Sequence, residues 1–180
     1  MICMEKKYQP TGREFVFMIV DRHKIIRNVL SEFLTKVLDV EIIETENGLK
    51  ALSVLESREV DVVITDVHLP LVDGMKLTEI VKANHLNTKV IALSMMDEPF
   101  VVNSMVQAGV DAYVLKEGDL EDLMKAIQEV QEGLTYFSPQ LISIVQQRFL
   151  ADSASHTEEI LGDDFKTLRR LLDEMSVSDE

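Results

Sequence analysis

The 180-residue chain has one cysteine, Cys3, so no disulfide can form within it, and a reducing, cytoplasmic location is the expectation. Long hydrophobic runs are also missing. The longest are about six residues, as in Phe15–Val20, against the roughly 18 needed to cross a bilayer, so no membrane span is expected. The start, from Met1 to Lys7, has no apolar stretch followed by a small-residue cleavage site, and nothing in it directs the chain to secretion. Basic residues are scarce beside acidic ones: 18 Lys and Arg stand against 32 Asp and Glu, a formal charge of −14. Sequence-independent binding to nucleic acid phosphates or anionic lipid needs clustered Lys and Arg, so both are disfavoured; a basic partner or a bound cation fits better. Neither GxGxxG nor GxxxxGK[ST] follows any candidate strand, which argues against a nucleotide-binding enzyme on a similar sheet. There is no low-complexity tract and no repeat beyond the alternation described next.

What the chain does have is a regular alternation of apolar strands and amphipathic helices. Phe15 to Val20 is a continuous, β-branched run that stops at Asp21. Ile25, Ile26, Val29, Leu30, Phe33, Leu34, Val37 and Leu38 then recur at helical spacing. Val40 to Glu44 reads as a second strand, and Asn47-Gly48 opens a second helix. Asp61 to Asp66 repeats the apolar strand ending in an acid, followed by a loop punctuated by Pro70 and Gly74 and a helix through Leu77, Ile80 and Val81. Lys89 to Leu93, Glu98 to Gln107 and Ala112 to Leu115 supply a fourth strand, a fourth helix and a fifth strand. Asp119 is expected to cap a fifth helix whose face is Leu120, Leu123, Met124, Ile127 and Val130. Five such strands predict a doubly wound α/β domain, a five-stranded parallel sheet covered on both faces. It spans about residues 13–135, after a disordered segment 1–12. Residues 136–180 form an acidic helical extension: a helix from Pro139 to Leu150, a polar stretch, and a second helix with Phe165, Leu168, Leu172 and Met175 on one face.

In open parallel sheets, ligands bind beyond the carboxyl ends of the strands. The residues there are Asp21, Asp66, Ser94 and Lys116, after the first, third, fourth and fifth strands. Two carboxylates suit a hard cation such as Mg²⁺, and an ammonium and a hydroxyl suit a phosphoryl group mounted on one of them. The four histidines, His23, His68, His85 and His156, lack the clustered partners of a zinc site.

Val20-Asp21, Thr65-Asp66, Leu93-Ser94 and Leu115-Lys116, with Leu69-Pro70-Leu71-Val72-Asp73-Gly74 after the central acid, resemble the receiver domain of two-component response regulators, a flavodoxin-like fold. Gly109 to Glu117, then Leu120 to Gly133 and Tyr136-Phe137-Ser138-Pro139, are similar to the NarL/LuxR-type subgroup. The resemblance implies a signalling switch and no conventional enzyme. Asp66 is then the phospho-acceptor, Asp21 part of the acidic pair holding Mg²⁺, and His68 the donor of a backbone carbonyl to the metal. Lys116 contacts the phosphoryl group, and Ser94 and Tyr113 are the switch residues. The implied partners are a sensor histidine kinase and a second copy of the chain.

One departure stands out. The family has two adjacent acids after the first strand, and here the second is Arg22. A ligand and a negative charge are lost together, so Mg²⁺ affinity and phosphotransfer are expected to fall. Arg22 either points into solvent or inserts its guanidinium beside Asp66 in the metal's place, giving a phosphorylation-independent pseudo-receiver as the alternative. The segment from Leu161 onward is weakly similar to the first helix and turn of the NarL/LuxR-type DNA-binding domain. Such a domain needs about 60 residues and only about 20 are present, so no recognition helix is expected and no nucleic acid is bound by these residues. The chain is either cut before a helix-turn-helix or a receiver with an acidic helical extension.

Overall fold

The computed structural model describes residues 15–148. The expected N-terminal segment 1–12 and the second extension helix lie outside the described residues. The described chain runs β1 (Phe15–Val20), α1 (Lys24–Val37), β2 (Val40–Thr45), α2 (Gly48–Ser57), β3 (Val62–Thr65), α3 (Gly74–Asn84), β4 (Lys89–Ser94), α4 (Pro99–Gln107), β5 (Ala112–Leu115), α5 (Leu120–Gln131) and β6 (Tyr136–Phe137), closing with a 3₁₀ turn at Pro139–Leu141. All strand pairings are parallel, in the order β2-β1-β3-β4-β5-β6.

The strands are apolar at consecutive positions because both faces are covered. Phe17, Ile19, Val62, Ile64, Ile91, Leu93, Ala112 and Val114 form one face, packed with Leu30 and Leu34 of α1 and Leu123, Ala126, Ile127 and Val130 of α5. Alternate residues turn to the other face, where Met18, Val63, Val90 and Tyr113 are buried like Ala51, Leu77, Val81, Val102 and Met105 of α2, α3 and α4. The doubly wound class is therefore observed.

The expected five strands are six. Tyr136 and Phe137, placed by the sequence pattern at the start of the extension, pair with Ala112 and Tyr113 along the edge of β5. Two residues are too short to show a period, so only the hydrogen bonds Tyr136 N–H to Asp111 C=O (3.1 Å) and Ser138 N–H to Tyr113 C=O (2.9 Å) reveal the strand. The opposite edge, β2, carries charges: Glu41 takes a bidentate pair from Arg58, with both contacts at 2.7 Å. The expected helix from Pro139 begins instead as the 3₁₀ turn. The chain divides after Leu141 into two compact units, and residues 142–148, which open the second, are helical.

Register brings the functional ends together. Val20 lies beside Thr65, Thr65 beside Ala92, and Ser94 beside Leu115. The ladder continues one residue past the strands, with Asp66 N–H donating to Val20 C=O and Lys116 N–H to Ser94 C=O, both at 2.8 Å. Two glycines let the next layer approach. A Cβ on Gly74 would lie 2.2 Å from the Asp66 carbonyl oxygen, and one on Gly48 2.2 Å from that of Val72. Both helix starts thus press directly onto the backbone around the third strand's end.

Candidate functional site

Asp21 and Asp66, from loops 45 residues apart in sequence, meet at one ammonium. Lys116 Nζ is 2.6 Å from Asp21 Oδ2 and 3.0 Å from Asp66 Oδ2. All three side chains are nearly buried, at 10, 3 and 8% exposure for Lys116, Asp21 and Asp66. Burial makes this cluster different from a surface ion pair. Its desolvation is offset only because each charge has a close partner, and removing one partner would leave an uncompensated charge. The sum, two carboxylates and one ammonium, leaves about one negative charge facing the loops.

Asp21 is held on every side. Its Oδ1 accepts the His23 backbone N–H at 2.7 Å and lies 3.1 Å from His23 Nδ1. Its backbone carbonyl accepts from Arg27 Nη1 at 2.6 Å, and Arg27 Nε is 3.3 Å from Glu44 Oε2. Asp66 has looser support, a 3.4 Å contact from the His68 N–H to Oδ1. That leaves the Asp66 carboxylate the freer of the two to accept a new bond.

Ser94, fully buried at the end of β4, accepts a hydrogen bond from Met96 N–H at 3.2 Å. The Tyr113 hydroxyl donates to the carbonyl of the same Met96 at 2.7 Å. One residue of the β4–α4 loop thus ties both expected switch side chains together through its backbone. Tyr113 is wholly buried, and that burial pushes its phenol up to about 12, against the opposing pull of the Ser94 hydroxyl.

Arg22 is exposed, and among the described residues no hydrogen bond or ion pair joins it to Asp66. Of the two orientations open to it, the structure shows the solvent one. His68 is exposed beside Asp66. His23, which the sequence pattern gave no clustered partners, lies with Asp21 and Asp66 in a group whose potential ligand atoms all fall within 4.8 Å of one another. The signal was its place two residues after Asp21, in the turn that Asp21 itself closes. Arg27 was missed as well, because a cation at a carbonyl has no sequence mark.

The family profile of the response regulator receiver domain matches residues 17–128, more than half of the chain. The chain belongs to that family. Among curated relatives, the receiver is 26% identical to the fimbriae Z protein of Salmonella typhimurium over 88% of this chain and 76% of that one. It is 28% identical to the transcriptional regulatory protein DegU of Brevibacillus brevis over 74% of this chain and 57% of that one. It is 22% identical to the nitrate/nitrite response regulator NarL of Escherichia coli, over 79% and 67%. Among solved structures, it superposes on the isolated receiver domain of RcsB from Salmonella enterica with a TM-score of 0.67 at 24% identity, covering 73% of this chain and 99% of that one. A LuxR-family regulator from Aurantimonas gives 0.70 at 22% identity, covering 76% and 99%. Both structures share the fold. Among the described residues no helix is long and apolar enough to cross a membrane.

Receivers of this family bind Mg²⁺ through acidic residues. Here the acids that converge are two, the position next to Asp21 is an exposed cation, and the third side chain of the group is an imidazole. Mg²⁺ selects oxygen donors, so this donor set is a poor match to it.

Proposed function

We propose that this receiver accepts a phosphoryl group on Asp66 from a sensor histidine kinase in the cytoplasm and thereby changes its contacts with other proteins. The observation that carries the proposal is the Lys116 ammonium bridging Asp21 and Asp66 within 3.0 Å. A carboxylate oxygen of Asp66 attacks phosphorus, the donor's N–P bond breaks as the O–P bond forms, and the imidazole leaves with the electron pair. Lys116, already in contact, donates to the phosphoryl oxygens that gather charge, and Asp21 keeps that ammonium in place. Ser94 has a hydroxyl one strand away. Turning it to the phosphoryl group breaks its bond from Met96 N–H, and Met96 C=O is the acceptor of Tyr113, so the β4–α4 loop and the buried tyrosine respond together. RcsB, one of the structural neighbours, forms dimers bound to DNA. By analogy a second copy of this chain is the proposed partner, and DNA is not proposed for these residues.

Intact mass after incubation with a small-molecule phosphodonor and a divalent cation tests this reading. The expected result is one phosphate on the natural chain and none on Asp66→Asn. A natural chain that stays unmodified overturns it. A second reading, a phosphorylation-independent interaction module, is favoured by Arg22 in place of the second acid. Its mark in the same experiment is phosphate on Arg22→Asp alone.

A further inference from the structure

The cation site, rather than the acceptor, is where this receiver departs from its family. We propose that Asp21, Asp66 and His23 together bind a divalent transition-metal ion of the Mn²⁺ class, with the His23 imidazole as a nitrogen ligand that Mg²⁺ does not exploit. The inference deepens the proposed function and rests on the pocket around Asp66 being a cation site.

Three observations carry it. The first is proximity: one ligand atom from each of the three side chains lies within 4.8 Å of the other two. Ligands at neighbouring positions around a first-row ion, bonded at about 2.1 Å, stand about 3 Å apart, so the widest pair of the group has to close by up to about 2 Å. His23 has the freedom to do this, because its side chain is 54% exposed while Asp21 is fixed at 3%. The second is the turn. Asp21 Oδ1 accepts the His23 N–H at 2.7 Å, so the carboxylate and the imidazole are tied to one another across two residues and face the same space. Lys116 contacts the Oδ2 atoms of both acids; Asp66 Oδ1 has only the 3.4 Å contact from His68 N–H, and Asp21 Oδ1 offers an ion its remaining lone pair once the His23 ring turns from it to the metal.

The third observation is what stands at residue 22. With Arg22 exposed and carrying a positive charge, the site lacks a third carboxylate, and its net charge of about −1 attracts a dication weakly. Affinity then has to come from bond type rather than charge. An imidazole contributes little to Mg²⁺ and more to the first-row transition-metal ions, least to Mn²⁺ and increasingly through Co²⁺ to Zn²⁺, so Mn²⁺ is the most demanding probe of a nitrogen ligand here. Two oxygens and one nitrogen leave positions open for water and for phosphoryl oxygens, as a phosphotransfer site requires.

The test is calorimetric titration of the metal-stripped full chain with Mn²⁺ and with Mg²⁺, for the natural protein, His23→Ala and Asp66→Asn, with pulsed EPR of the Mn²⁺ complexes. His23 is exposed and its side chain makes no helix-cap bond, so His23→Ala keeps the fold. The expected result is a loss of about tenfold or more in Mn²⁺ affinity in His23→Ala, with Mg²⁺ affinity unchanged and the ¹⁴N coupling to Mn²⁺ gone. Asp66→Asn is expected to weaken both ions. Equal Mn²⁺ affinity with and without His23, absence of nitrogen coupling in the natural chain, or Mn²⁺ binding that survives Asp66→Asn would each overturn the proposal. Because binding is read without phosphotransfer, the two ideas fail separately. A chain that holds Mn²⁺ through His23 but takes no phosphate sinks only the phospho-acceptor reading, and one phosphorylated with no His23-dependent metal binding sinks only this inference.

Discussion

Leu71, a non-glycine residue in the left-handed region, lies five residues after the acceptor. Its φ is 70°, and Val72 N–H bonds to Pro70 C=O at 2.9 Å around it, the signature of a γ-turn of the rare, strained form. The Leu71 side chain is 77% exposed, so little packing offsets the strain. Glycine, with no Cβ, adopts positive φ without that strain, and Leu71→Gly is expected to raise stability by up to about 1 kcal/mol in urea unfolding. Two phenols at the same scale set the alkaline limit. Burial raises Tyr113 from 10.0 to about 12, and burial followed by the Asp122 hydrogen bond raises Tyr136 to about 12. A raised phenol favours the folded, protonated form: its contribution is complete below pH 10 and lost as pH climbs towards 12. Stability is therefore expected to fall across that window. In Tyr113→Phe the fall should be shallower by up to about 1.4 kcal/mol per pH unit, measured by denaturant midpoints at stepped pH.

The edge strand β6, unlike the helices packed on the sheet, is held by a few polar side chains. Asp122, on the first turn of α5, accepts Tyr136 Oη through Oδ1 and Ser138 Oγ through Oδ2, each at 2.8 Å. Ser138 Oγ in turn accepts the Leu115 N–H at 3.1 Å, one residue before Lys116. The clasp fastens β6 to the strand that delivers the ammonium. Asp119 occupies the N-cap position of α5, yet its side chain makes no capping bond, contrary to the sequence expectation. Asp122→Ala strands the Ser138 hydroxyl in a buried place and is expected to cost about 2 kcal/mol. Amide exchange should quicken at Leu115 and Ser138 while Leu34 in α1 is unchanged; uniform quickening would show that β6 is not a separable piece.

For the molecule as a whole, charge is the dominant long-range feature. A net −14 means that folding gathers like charges. Against this stand exposed pairs such as Arg58 with Glu41 and Lys76 with Glu79, which water and salt weaken. The buried Lys116 cluster is screened far less than either. Salt should therefore relieve more repulsion than it removes attraction. Raising NaCl from about 20 to about 200 mM is expected to raise the melting temperature, and a fall would mean the surface pairs outweigh the net charge.

The sequence by itself determined the alternation, and through it the sheet, because apolar runs of strand length and 3.6-residue periodicity are local properties that burial on both faces imposes. It also determined which residue types end the strands, so Asp21, Asp66, Ser94 and Lys116 were legible together. Only the tertiary structure decided which atoms meet. Lys116 reaches Asp21 across 95 residues because parallel register aligns their strands, and no local pattern encodes that register. Arg22 and His23 are neighbours in one turn, yet the turn's hydrogen bond from His23 N–H to Asp21 brings the imidazole to the site and leaves the guanidinium in solvent. Side-chain direction in a turn follows backbone geometry, and that geometry exists only once the strand and helix on either side are packed.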